Sequence, residues 1–197
     1  MKRFLTMLCF ALVILLITPC AFAQNSENHV ELGLYGEYFR WGAGGNANLL
    51  GLGGRAGVNV APNVQLEADL TYDFQRAFAS ASNTGGSVGF SNSNVKRFDG
   101  LFGFKLQTKG PVRLFALFQG GATHFALSPR GTTFGSFTGT IGSLNENNLV
   151  AEFYPGGGVE AFIGPIGLRL DVGDEIYFVG NGGHNNLRVT FGPSIRF

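Results

Sequence analysis

The 197-residue sequence predicts an all-β chain, an eight-stranded antiparallel transmembrane β-barrel. Three observations lead there. Apolar and polar residues alternate with period two in eight separate segments, which sets unlike residues on opposite faces of a strand. The connections between those segments alternate between tight and long. Glycine (31 residues) and phenylalanine (20) are abundant while only 14% of residues are charged, so the chain needs an apolar solvent or a large partner.

The segments are preceded by a stretch of a different kind. Lys2 and Arg3, an apolar run from Phe4 to Ile17, and Ala21-Phe22-Ala23 have the order of a secretory signal peptide, predicted over residues 1–23. The run is too short for a transmembrane helix. Pro19 before Cys20 is unsuited to lipoprotein processing. Residues 24–197 are then one barrel domain of about 174 residues. Cys9 and Cys20 both lie in the leader, so a disulfide, a Cys-ligated zinc or a cysteine nucleophile is not expected in the mature chain. Losing Lys2 and Arg3 moves the formal charge from +1 to about −1, with no polybasic character to suggest nucleic acid.

The first segment, Val30 to Arg40, sets Val30, Leu32, Leu34 and Tyr38 against Glu31, Tyr35 and Glu37. The second, Leu50 to Val60, sets Leu52, Ala56, Val58 and Val60 against Arg55 and Asn59. In the third, Val64, Leu66, Ala68, Leu70, Tyr72 and Phe74 alternate unbroken with Gln65, Glu67, Asp69, Thr71, Asp73 and Gln75, which no helix could segregate. The fourth sets Phe98, Phe102, Phe104 and Leu106 against Arg97, Asp99 and Lys105. The fifth sets Val112, Leu114, Ala116 and Phe118 against Arg113, Gln119 and Thr123, with Phe115 and Leu117 breaking the alternation. The sixth, Leu149 to Ile163, weakens at Pro155 to Gly158 and recovers with Val159, Ala161 and Ile163. The seventh sets Ile166, Leu168, Leu170, Val172, Ile176 and Phe178 against Arg169, Asp171, Glu175 and Tyr177. Asp174 is an acid on its apolar face, costly at mid-membrane and so expected near an interface. The eighth, Asn186 to Phe197, sets Leu187, Val189, Phe191, Ile195 and Phe197 against Arg188, Thr190, Ser194 and Arg196. Pro193 removes one ladder N–H there, which predicts a bulge.

Tight turns are expected at Ala61-Pro62-Asn63, Thr108-Lys109-Gly110 and Gly164-Pro165. Longer loops are expected at 41–49, 77–94, 126–147 and 179–185, rich in Gly, Ser, Thr and Asn. Short turns on one side and long loops on the other, with an even strand number, are the outer-membrane arrangement. Both termini then face the periplasm. A soluble lipocalin-type barrel also alternates, but with its apolar face inward. The polar face here carries ten acids and seven bases, which suits a narrow interior where charges pair. The aromatic residues Phe74, Phe98, Phe118, Phe178 and Phe197 suit interfacial girdles on the other face.

In the alternation, the connections, the Gly156 to Glu160 run, the Asn186 to Thr190 ending and the final Phe197, the chain resembles small eight-stranded bacterial outer-membrane barrels of the OmpA transmembrane-domain and OmpX kind. The resemblance implies a Gram-negative outer membrane, export through the general secretory route, outer-membrane lipid around the wall and a monomer. It also implies that Val189, Phe191, Ile195 and Phe197 present the signal read by the barrel-assembly machinery. No peptidoglycan-binding domain follows Phe197, so the wall-anchoring role of full OmpA proteins is not implied.

Candidate sites weigh lightly beside this. Gly51-Leu52-Gly53-Gly54-Arg55-Ala56 fits a loose dinucleotide pattern, but the residues after it continue a strand instead of opening a helix. Lipid A deacylases pair a His with a Ser two residues on, whereas His29, His124 and His184 are followed there by Glu31, Ala126 and Asn186. A triad using His124 and Ser128 would need a loop bend. Paired carboxylates suited to glycosidase chemistry arise for nothing in a polar barrel interior, and structural ion pairing explains them better. The expected interior network is Arg55, Glu67, Asp69, Asp73, Arg97, Asp99, Lys105, Arg113, Arg169, Asp171 and Arg188. Catalysis, metal and cofactor are not expected. The function expected is an outer-membrane structural or surface-interaction barrel with a polar, closed lumen and an unnamed extracellular partner. A narrow solute channel, and after it a lipid A-modifying enzyme, are the alternatives.

Overall fold

The computed structural model describes residues 29–42, 47–84, 87–130, 149–179 and 182–197. They form eight strands: β1 (Val30–Trp41), β2 (Ala47–Ala61), β3 (Val64–Thr84), β4 (Ser87–Gln107), β5 (Val112–Arg130), β6 (Val150–Ile163), β7 (Ile166–Val179) and β8 (Gly182–Arg196). Each pairs antiparallel with the next, and β8 returns to β1, so the sheet closes in the order of the chain. Closure leaves no edge strand with unpaired backbone groups, the condition for a sheet in lipid. The seam is bonded to its end: Val30 N–H donates to the Phe197 carbonyl and Phe197 N–H to the Val30 carbonyl, both at 3.0 Å. The shortest strand, β1, has 12 residues. At about 3.3 Å per residue and a tilt of about 40° it rises roughly 30 Å, enough for an apolar band of about 25 Å.

The faces follow the alternation. Leu34, Leu52, Leu70, Phe102, Leu114, Leu168 and Phe191 are exposed on the outside, while Glu67, Asp99, Lys105, Asp171 and Arg188 are buried inside. The tight turns fall where expected, and Gly110 (φ 117°) and Gly164 (φ 62°) supply the left-handed residue in two of them. Asp174 is half-buried, five residues from the loop end of β7, where its carboxylate accepts the Asn186 N–H at 2.9 Å.

Three expectations are corrected. The 77–94 stretch is not an open loop: β3 and β4 run on through it as a hairpin, paired from Arg76↔Val95 to Thr84↔Ser87. β5 likewise continues to Arg130, pairing with β4 as far as Asn92. Ser, Thr and Asn tracts read as loops by composition, yet a partner strand already in register extends them. The bulge expected at Pro193 is absent. The register of β8 is the same on both sides of it, with Leu168↔Pro193 in line on β7 and only the pairs between Gly33↔Ser194 and Gly36↔Phe191 missing on β1. Because the Phe197 N–H points to β1, the equivalent group of Pro193, four residues earlier, would point there too. The missing donor therefore costs one bond at the seam and no extra residue. Bulges lie instead between Asn59 and Ala61 and between Asp73 and Arg76. Residues 1–23, and with them the leader and both cysteines, lie outside the described residues, as do 131–148.

Candidate functional site

The interior side chains form two ion-pair clusters stacked along the barrel. In the first, near the turns, Arg55 on β2 pairs with Asp69 through Nε (2.9 Å to Oδ1) and Nη2 (2.9 Å to Oδ2), and reaches Asp171 at 3.2 Å. Arg169 on β7 grips Glu67 with both terminal nitrogens and Asp171 with Nε at 3.1 Å. Lys105 holds Glu160 at 2.9 Å and lies 3.6 Å from Glu31. Paired and hydrogen-bonded in this way, buried charges recover much of their lost hydration.

The second cluster, nearer the loops, is built on Arg97 and Arg188. Arg97 on β4 contacts Asp73 of β3, Glu37 of β1, Asp99 of its own strand (each 2.9 Å) and Glu175 of β7 (3.1 Å). Arg188 on β8 pairs with Glu37 at 2.7 Å. Between the clusters sit two tyrosines. Tyr35 hydroxyl lies 2.8 Å from Thr71 and receives Arg188 at 3.1 Å, while the Arg55 guanidinium lies over its ring at 4.8 Å. Tyr154 donates to Asp171 at 3.0 Å and carries Arg188 over its ring at 5.0 Å. Aromatic faces favour such cations. The Arg97 guanidinium lies over the Phe39 ring at 4.0 Å, and Trp41 stacks on Phe125 at 5.3 Å.

Ten of the eleven residues expected in the network are placed in these clusters. Arg113 stands at the rim of the first cluster, opposite Glu160: it is half-buried beside the turn, donates from Nε to the Gly110 carbonyl at 3.2 Å and covers Phe162. As the second residue of β5 it lies where the wall opens. Val189, Phe191, Ile195 and Phe197 point outward. Sequence reasoning missed Tyr154 and Trp41, and read Phe115 and Leu117 as breaks in the pattern. Phe115 and Leu117 share the inward face with Arg113 and Gln119, so parity alone could have found them. The space beside Gly51, Gly53, Gly57 and Gly103 is filled from neighbours. A Cβ on Gly53 would strike the Tyr35 ring, and one on Gly103 the β5 backbone at Phe118. Those glycines let a ring and a strand lie flat against the wall.

No protein-family model matches this sequence, and no curated protein matches it. Solved structures do. Neisserial surface protein A aligns with 85% of this chain and 97% of its own at 12% identity, with a TM-score of 0.52. The fold is that of small outer-membrane barrels. Also similar are Ail of Yersinia pestis (12% identity, 87% of this chain and all of that one, TM-score 0.49) and the N-terminal β-barrel domain of Pseudomonas aeruginosa OprF (10%, 87% and all, 0.43). At such identities the likeness concerns the fold alone.

Proposed function

We propose that this chain is a monomeric outer-membrane barrel with a structural or surface-interaction role and no catalysis, its lumen plugged by ion pairs. The observation that carries the reading is Arg97, whose guanidinium spans the interior from β4 to carboxylates on β1, β3 and β7. Eight-stranded barrels have interiors just wide enough for side chains to fill. Opening a path would leave several buried carboxylates without their shared cation, at a cost of several kcal/mol. The apolar outer face would meet outer-membrane lipid. Export follows the secretory route, and the β8 residues Val189, Phe191, Ile195 and Phe197 present the assembly signal to the barrel-assembly machinery. The extended β3–β4 hairpin offers surface for an extracellular partner.

Planar-bilayer recording tests the plug. The pure, heat-modifiable barrel is expected to be silent, and Arg97→Ala to add conductance. Steady ohmic current from the unaltered barrel would favour the narrow-channel reading.

A further inference from the structure

The two clusters differ in how fully their carboxylates are paired. Around the first lie five carboxylates, Glu31, Glu67, Asp69, Glu160 and Asp171, with Arg55, Lys105 and Arg169 among them. Two more cations complete it, since Arg196 stands opposite Glu31 and Arg113 opposite Glu160. That end is neutral. The second cluster also has five carboxylates, Glu37, Asp73, Asp99, Glu152 and Glu175, of which Arg97 and Arg188 pair with Glu37, Asp73, Asp99 and Glu175 and neither reaches Glu152.

Three of these carboxylates meet at one place. Asp99, Glu152 and Glu175, from β4, β6 and β7, are all buried and present one oxygen each within 4.8 Å of one another. Glu152 is 4% exposed, and both of its oxygens lack a hydrogen-bond partner. Asp99 gives Oδ1 to Arg97 at 2.9 Å, while Oδ2 accepts no hydrogen bond and is 3.8 Å from Arg188. An isolated buried carboxylate is too costly to leave uncompensated, and here an unpartnered one joins two others.

We propose that Asp99, Glu152 and Glu175 bind a hard divalent cation such as calcium inside the barrel. Calcium takes oxygen ligands at about 2.3–2.6 Å, and one oxygen from each of the three carboxylates lies within 4.8 Å of the other two, close enough for a single ion to be shared. The ion brings positive charge to Asp99 Oδ2 and Glu152 while Arg97 keeps its existing bonds. The site rests on the interior geometry and not on whether the lumen conducts.

The test is calcium titration and urea unfolding of the full barrel, refolded in detergent after chelator treatment. One calcium per barrel is expected, with a rise in unfolding midpoint as calcium enters the millimolar range, because a ligand of the folded state stabilises it. Glu152→Gln should lose saturable binding and the calcium-dependent rise. In chelator it should be at least as stable as the parent, which shows that it folds. Glu160→Gln, in the neutral cluster, should still bind. A parent midpoint indifferent to calcium, or equal binding by Glu152→Gln, would overturn the site and leave a carboxyl that keeps its proton as the explanation. Bilayer silence or conductance would be unaffected by either result.

Discussion

Arg97 shows what one residue does here. Its five N–H groups serve carboxylates on four strands and the Tyr177 hydroxyl at 2.9 Å, in a fork that a lysine could not reproduce. Arg97→Met keeps most of the volume and removes the charge, leaving Asp73, Glu37, Asp99 and Glu175 to share Arg188. The expected loss is about 3–5 kcal/mol, the range for breaking a buried pair. Urea unfolding of the variant in lipid vesicles reads it, and a change under 1 kcal/mol would show that the interior pairs barely hold the wall together.

Among the elements, β8 has two tasks that one residue can separate. Phe197 closes the barrel through its backbone, by the two bonds to Val30, and presents its ring outward at 60% exposure. If the ring is the assembly signal, Phe197→Ala should lower folded barrel in the cell and accumulate precursor in the periplasm. The purified variant should still refold in detergent, because the backbone bonds remain. Equal loss in both settings would mean that the ring serves packing, and normal cellular yield would remove the signal from this residue.

For the molecule as a whole, the orientation of the sheet is the decisive property. Leu70 lies on the outer face of β3, six residues past the strand start, and is 58% exposed. In a lipid-facing wall Leu70→Arg should cost about 2–4 kcal/mol if the site is near the bilayer midplane. On a water-facing surface the same change should fall within about ±0.5 kcal/mol. Reversible unfolding from vesicles distinguishes them.

Strand number, strand phase and the polarity of each face were legible in the chain, because period two is a local property and a single break flips every following side chain. The unbroken run from Val64 to Phe74 needed no partner to be read, and the tight turns announced themselves by Pro and Gly. Where strands end was not legible: the hairpin beyond Asp73 follows from a partner strand already in register. Which charges meet was decided only by closure. Glu37 and Arg97 are 60 residues apart and lie on non-neighbouring strands, and no sequence spacing brings them to 2.9 Å. The two ion-pair clusters and the unpartnered Glu152 exist only once eight strands share one interior, since that alone removes the water that would otherwise have screened each group by itself.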